Sequence, residues 1–441
     1  MGKFDAIVIG TGVAGGTVAA ECAAAGLDVA VTDRVPYGGT CAQRGCDPKK
    51  VLLAAAEAVG RSQALTGHGL EGEVRIAWPE LIARKREFVG GVPESSERRL
   101  RDAGATLYHG EARFVAPDAL EVNGERHTAG AFVIATGATP RVLGFPGEEL
   151  LTHADGFMDL DVLPPRVVFV GGGYISFEFA ALARRAGASV TIAHRSSRVL
   201  KGFDRSLADQ VVDRYRALGI EVLLDTPTLA VRRDGEAMVV ETAAGPLNAD
   251  LVVHGAGRVP DLAALHLEAG DVRADTRGIV VDKSLRSVSN PRVFAAGDAA
   301  AAGPALTPPA SRQASVVVRT ILGETATYDP GATASVAFSD PPLAAVGMSV
   351  EEAEGRDDLE VVVSDMSGWF TQRRLGQTHA GARVVRERAT GRLLGAHVLG
   401  ANAEEVINVF ALAVRRGLTT DDVADAVWAY PTASSDIGYL V

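Results

Sequence analysis

"DAIVIGTGVAGGTVAAECAAAGLDVAVTDR", residues 5–34, decides the fold of this 441-residue chain. An apolar strand over residues 5–9 runs straight into Gly10-Thr11-Gly12-Val13-Ala14-Gly15. An Ala-rich helix follows, and "DVAVTD" closes the unit as a second strand. Strand, G-x-G-x-x-G turn, helix and strand form the βαβ unit that binds a dinucleotide. Gly10 permits the tight turn, Gly12 lets the backbone approach a pyrophosphate, and Gly15 lets the helix pack on the strand. The helix N-terminus then offers free N–H groups and its dipole to the phosphates. Asp33 ends the second strand, where an acid can accept hydrogen bonds from a ribose diol. Cys22, within the helix, reads as an inert core residue.

The pattern recurs in "RVVFVGGGYISFEFAALARRAGASVTIAHR", with a strand at 166–170, then Gly171-Gly172-Gly173-Tyr174-Ile175-Ser176, a helix, and a strand ending near His194. Ser176 stands where a third Gly or Ala is usual and is small enough to preserve the packing. Where the first unit ends in an acid, the second ends in His194-Arg195, with Arg198 and Lys201 close behind. An acid there repels a 2′-phosphate and cations attract one. The second unit therefore reads as built for NADPH rather than NADH, the alternative being a solvated, charged surface loop.

Two dinucleotide units in one chain imply two cofactors used together. Two further segments place a Gly after an apolar strand: Thr136-Gly137 in "FVIATGATP" and Gly297-Asp298 in "NPRVFAAGDAA". The net charge of −11 argues against a nucleic-acid partner. No apolar run reaches the roughly 18 residues of a membrane helix. The N-terminus lacks the layout of a signal peptide, so the expected location is cytoplasmic.

Two of the three cysteines, Cys41 and Cys46, stand in "GGTCAQRGCDPKK", residues 38–50. Three cysteines in a chain this long make no disulfide framework. The nine His are scattered, and none joins a cysteine at zinc-site spacing, so no metal site is expected. Residues five apart on a regular helix are roughly 8.5 Å apart, whereas a disulfide needs Cα atoms within about 7 Å. If the two cysteines pair, the turn holding them is distorted, and a strained disulfide is easier to reduce. Asp47-Pro48 reads as a fresh helix start. The alternative is two buried, unreactive thiols.

Taken together, these motifs resemble the pyridine nucleotide–disulfide oxidoreductases, the family of glutathione reductase, dihydrolipoyl dehydrogenase and mercuric reductase. The match runs in family order through the Gly10–Gly15 loop, "GGTCAQRGCDPKK", "IATGATP", "YISFE", "GAGRVPD", "VFAAGDAA" and "FSDPPLAAVGMSVEEA". The resemblance implies an α/β fold with two Rossmann-like dinucleotide-binding domains and a C-terminal α+β dimerisation domain. The expected segments are 1–142 for FAD, 143–262 for NAD(P)H, 263–330 completing the FAD domain, and 331–441 forming a homodimer with a shared active site.

It also implies roles. Cys46 would face the flavin and Cys41 would attack the substrate. Lys49 would approach the flavin and pair with Glu178. Tyr174 would cover the flavin until nicotinamide displaces it, and Asp298 would bind the ribityl chain. Further cofactor contacts implied are Arg34, Gly39, Thr40, Ala112, Thr136, Gly137, Ile175, Gly257, Leu306 and Thr307. The expected activity is electron transfer from NADPH through FAD to the Cys41–Cys46 disulfide. From there electrons pass to a small-molecule disulfide or another thiol-reactive acceptor. Mercuric-type metal ion reduction and NADPH-dependent quinone or oxygen reduction are the alternatives.

Two stretches depart from the family pattern. Disulfide reductases usually carry His-Pro-x-x-x-Glu near the C-terminus, whereas this chain has "WAYPTASSDIGYLV". Tyr430 stands at the His position and Ser435 at the Glu position, with Asp436 one residue later. Tyr has a reference pKa of about 10 against roughly 6.5 for His, so it donates a hydrogen bond but shuttles protons poorly at neutral pH. Between the cysteines lies Ala42-Gln43-Arg44-Gly45, where Arg44 either stabilises a thiolate at Cys41 or pairs with Asp47.

Overall fold

Ala6–Ile9 are buried on both faces, as a central strand of a parallel sheet requires. In the computed structural model, which describes residues 2–441, that strand spans Lys3–Ile9 and pairs in parallel with Val29–Asp33 and Glu125–Ile134. Thr106–His109 and Val293–Ala295 extend the parallel set, and Ala112–Ala116 and Ala119–Val122 add an antiparallel flank. Side chains alternate by face. Ala6 and Val8 pack with Val18 and Cys22 of the Val13–Ala24 helix and with Ala314 and Val317 of the Thr307–Ile321 helix. Ile7 and Ile9 pack with Phe114, Phe132 and Ile134 on the other side.

This sheet belongs to one of two compact units, comprising residues 1–50, 83–141 and 258–330. The second comprises 51–82, 142–257 and 331–441. Its parallel sheet runs Glu221–Leu223, Ser189–Ala193, Arg166–Val170, Leu251–His254. Its C-terminal part is a five-stranded sheet, whose Leu343–Gly347, Leu393–Leu399 and Gly381–Glu387 strands pair antiparallel in that order. The Ala403–Arg416 helix lies on that sheet. Val406, Ile407, Phe410 and Ala413 recur at helical spacing and are buried with Ala344, Val384 and Val398.

The expected continuous run 1–142 is interrupted. Residues 51–82 leave the first unit because Leu52, Leu53, Ala56, Trp78 and Ile82 share a core with Phe157, Phe169, Phe177 and Phe179 of the second. No helix among the described residues is long and apolar enough to cross a membrane.

Candidate active site

The first Gly-rich loop is built so tightly that only glycine fits at two of its positions. Gly10 has φ +102°, and a Cβ there would lie 2.3 Å from Ala135 O. A Cβ on Gly15 would lie 2.0 Å from Gly10 O. The Val13–Ala24 helix that follows has no side-chain cap and no acid in its first turn, so its leading N–H groups stay available to an anion. The buried Thr136 hydroxyl has no hydrogen-bond partner among the described residues. Asp298 is held above the usual carboxylate range by burial, with Arg258 pulling the other way, and such a group suits a polyol hydroxyl. A bare helix N-terminus, a glycine cradle and an orphaned hydroxyl together fit a flavin dinucleotide.

Asp33 is already engaged. Its Oδ2 accepts from Thr11 N (2.8 Å) and Thr11 Oγ1 (2.6 Å), and its Oδ1 from Val35 N (3.1 Å). Thr11 Oγ1 in turn accepts from Gly38 N at 3.1 Å. Arg34 pairs with Glu111 at 3.0 Å and with Asp261. Ala112 is buried at a strand start, Gly257 has φ +100°, and Leu306 is the N-cap residue of the Thr307–Ile321 helix.

The same loop receives the cysteine segment. Gly39 opens the short Gly39–Arg44 helix with φ +72°, and a Cβ on it would lie 2.3 Å from Gly12 Cα. Thr40 follows in that helix. The helix breaks at Gly45 (φ −139°, ψ −116°), and a second helix, Cys46–Leu65, starts at once. A Cβ on Gly45 would lie 2.8 Å from Thr40 O and 3.2 Å from Cys41 Cα. The break lies between the two cysteines, where a distortion is required if they pair, and the second helix starts one residue before the expected start at Asp47-Pro48.

The surroundings of Cys41 and Cys46 make them unequal thiols. Thr307 Oγ1, at the head of the Thr307–Ile321 helix, donates to Cys41 Sγ at 3.2 Å and lies 3.7 Å from Cys46 Sγ. Cys46 is drawn down to about 6, chiefly by a hydrogen bond from Cys41 and also by Thr307 and the charge of Lys49. Cys41 is pushed well up, first by that shared hydrogen bond and then by burial. Cys22 is buried and pushed up to about 11. Arg44 is not among the largest influences on either thiol, whereas the charge of Lys49 contributes to lowering Cys46.

In the second unit, Gly171 has φ +114°, and a Cβ there would lie 2.6 Å from Ala256 Cα. Gly173 is the N-cap of the Tyr174–Arg185 helix, again with no side-chain cap and no acid in the first turn. Ser176 is fully buried, and a Cβ on Gly255 would lie 1.9 Å from its Oγ. Tyr174 is 46% exposed at the helix start, beside Ile175. Glu178 is buried and accepts from Phe338 N at 2.9 Å.

His194 follows the Ser189–Ala193 strand in a hydrogen-bonded setting. Its Nε2 lies 3.0 Å from both Arg198 O and Ser196 Oγ, and burial lowers its pKa, so the ring is neutral near pH 7. Arg195 and Lys201 are exposed. At the C-terminus Tyr430 is 78% exposed. Ser435 Oγ donates to Thr432 O at 2.6 Å, and the buried Asp436 accepts from Thr371 Oγ1. Among the described residues no group of three or more His, Cys, Asp or Glu could hold a metal ion.

Sequence reasoning gives Thr307 as a cofactor contact and misses its hold on the thiols. No local signal carries a hydrogen bond across 266 positions.

Residues 4–314 match the family model of pyridine nucleotide-disulphide oxidoreductases, and 333–440 match the dimerisation domain of the same family. The chain is 31% identical over 439 residues to a glutathione reductase from Burkholderia cepacia, covering 98% of this chain and 97% of that one. It is 30% identical over 452 residues to a mercuric reductase from Bacillus cereus, covering 99% of this chain and 71% of the relative. A solved structure of the HOCl-induced flavoprotein disulfide reductase RclA from Escherichia coli superposes with a TM-score of 0.88 at 28% identity, covering 99% of each chain. A Cu(II) complex of RclA superposes at 0.89, also at 28% identity, covering 100% of this chain and 99% of the other. With two uncapped dinucleotide loops and a cysteine pair set against the first, the chain belongs to the flavin-dependent pyridine nucleotide–disulfide oxidoreductases.

Proposed function

We propose that this enzyme takes electrons from NADPH and delivers them, through the Cys41–Cys46 pair, to a low-molecular-weight disulfide. The observation that carries this reading is the Cys41–Cys46 pair at the break between two helices, with Thr307 Oγ1 3.2 Å from Cys41 Sγ and 3.7 Å from Cys46 Sγ, a setting that lowers Cys46 and raises Cys41. Bound FAD supplies the relay between nicotinamide and the dithiol; the Gly10–Gly15 loop, Thr136, Gly137 and Asp298 would hold it. Arg195 and Lys201 favour a 2′-phosphate and hence NADPH.

Above about pH 6 the reduced pair carries its negative charge on Cys46 and a proton on Cys41. Cys41 passes its proton to Cys46 along their shared hydrogen bond, and the Cys41 thiolate forms a bond to one sulfur of the acceptor disulfide as the acceptor's S–S bond breaks. The displaced thiolate takes that proton from Cys46 and leaves as a thiol. The Cys46 thiolate then attacks Cys41 Sγ, which restores the intramolecular disulfide and releases the second thiolate, protonated from solvent. Tyr430, acting in a homodimer from the partner subunit, donates a hydrogen bond to the departing sulfur where a family His would donate a proton.

A second acceptor class is a thiophilic metal ion. Its support is Tyr430 in place of an imidazole, together with the likeness to a mercuric reductase and to a reductase solved with Cu(II). The test is steady-state NADPH oxidation by the FAD-loaded enzyme with glutathione disulfide, Hg(II), Cu(II) and a quinone in turn. Turnover with the disulfide, lost in Cys41→Ser, supports the reading. Turnover with metal ions alone moves the assignment to the second class, and turnover with quinone that survives Cys41→Ser defeats both.

A further inference from the structure

The turn that follows the Ser189–Ala193 strand folds back on the second Gly-rich loop. Leu200 N donates to Gly172 O at 2.9 Å. A Cβ on Gly172 would lie 2.8 Å from both His194 Cγ and Val199 Cγ1. The charges of Arg195, Arg198 and Lys201 are thus delivered beside a phosphate-binding loop. That charge is smaller than the sequence suggests. Burial holds His194 toward its neutral form. Arg198 is paired: its guanidinium lies 2.7 Å from Glu351 Oε1 and also donates to Phe203 O at 3.3 Å. Glu351 is held on a short helix, Val350–Ala353, whose start is locked by a reciprocal cap between Ser349 and Glu352.

We propose that Glu351 is a specificity-determining residue for the nucleotide. By neutralising Arg198 it weakens the pull of the turn on a 2′-phosphate and keeps NADH in use beside NADPH. The inference rests on reading the 194–201 turn as the 2′-phosphate site. The Arg198 and Glu351 side chains are 35% and 36% exposed, so the pair sits where charge still acts over several ångströms but solvent moderates it. Removing the carboxylate leaves Arg198 with its full charge and a stem long enough to swing toward the phosphate. A nucleotide without the 2′-phosphate has nothing to gain from that change, so the effect falls on one ligand of the two.

The experiment is calorimetric titration of the FAD-loaded enzyme with 2′,5′-ADP and with 5′-AMP, paired with kcat/KM for NADPH and NADH. Glu351→Gln should tighten 2′,5′-ADP by roughly three- to tenfold, leave 5′-AMP unchanged, and raise the NADPH-to-NADH ratio by the same factor. Arg198→Gln should lower that ratio less than about twofold in the parent, because the pair has already neutralised the charge. It should erase the whole gain in the Glu351→Gln background. An unchanged or weaker affinity of Glu351→Gln for 2′,5′-ADP overturns the proposal. Arg195→Gln separates the two levels. If it weakens 2′,5′-ADP while Glu351→Gln does not tighten it, only the role of Glu351 falls. If neither Arg195→Gln nor Lys201→Gln affects 2′,5′-ADP, the turn is not the phosphate site and both readings fall.

Discussion

Thr307 Oγ1 stands 3.2 Å from Cys41 Sγ and donates to it, although the two residues are 266 positions apart. The same hydroxyl lies 3.7 Å from Cys46 Sγ. Thr307→Val removes this donor at nearly constant shape. A hydrogen bond to a charged group contributes about 1.5–3 kcal/mol, and one pKa unit corresponds to about 1.4 kcal/mol. The apparent first pKa of the Cys41–Cys46 pair should therefore rise by about one unit. Iodoacetamide alkylation of the reduced enzyme against pH, with peptide mapping, checks this, and an unmoved profile removes Thr307 from the thiol network.

The Cys46 shift also sets a pH dependence of stability. Its folded value, about 6, lies below the ordinary thiol value of 9.0. The resulting stabilisation of the reduced enzyme is fully present above about pH 9 and is lost as pH falls through about 6. Chemical denaturation of the reduced enzyme should show a lower midpoint at pH 5.5 than at pH 9, to a greater extent than in Cys46→Ser. Equal slopes in the two proteins would place the shift elsewhere.

Gly60 makes room for a buried cation. A Cβ there would lie 2.1 Å from Arg185 NH2. The guanidinium cannot retreat freely, since it also donates to Ala56 O at 2.9 Å and pairs with Asp340. Gly60→Ala should cost about 1–3 kcal/mol despite the better helix propensity of Ala. Urea denaturation of the FAD-loaded protein measures this, and a stabilised variant would contradict it.

Tyr430 is exposed, so its hydroxyl contributes little to the folded subunit. Tyr430→Phe should leave the urea midpoint within about 0.5 kcal/mol of the parent. It should lower kcat/KM for the disulfide by about tenfold or more if the hydroxyl serves the departing thiol. Stopped-flow measurement of dithiol reoxidation reads the effect at its own step. Unchanged reoxidation would make Tyr430 a bystander.

The fold is legible in the sequence where the constraint is local. Gly10, Gly15 and Gly171 stand out because a turn with positive φ or a close backbone approach admits no other residue, and the strands and helix beside them have their own periodicity. The helix break between the cysteines follows from their spacing once they are taken as a pair. What cannot be read depends on burial and distant partners. The setting of the His194 ring, against Gly172 and bonded within the 196–198 turn, cannot be read from the residue alone. Arg44 looks like the natural partner of a thiolate, yet the cation among the main influences on Cys46 is Lys49. The bonds that Asp33 accepts from Thr11 are not visible in its position at the strand end. Residues 51–82 look like a continuation of the first domain, but their apolar face is shared with phenylalanines more than 70 positions away.

The central claim is that Cys41 and Cys46 lie on the electron path. The most direct test is anaerobic reduction of the FAD-loaded enzyme with one equivalent of NADPH, followed by alkylation and mass spectrometry of the cysteine peptides. Cys41 and Cys46, unreactive before reduction, should both become alkylated after it, with Cys22 unmodified throughout. Consumption of NADPH with no new thiol at either position would contradict the claim.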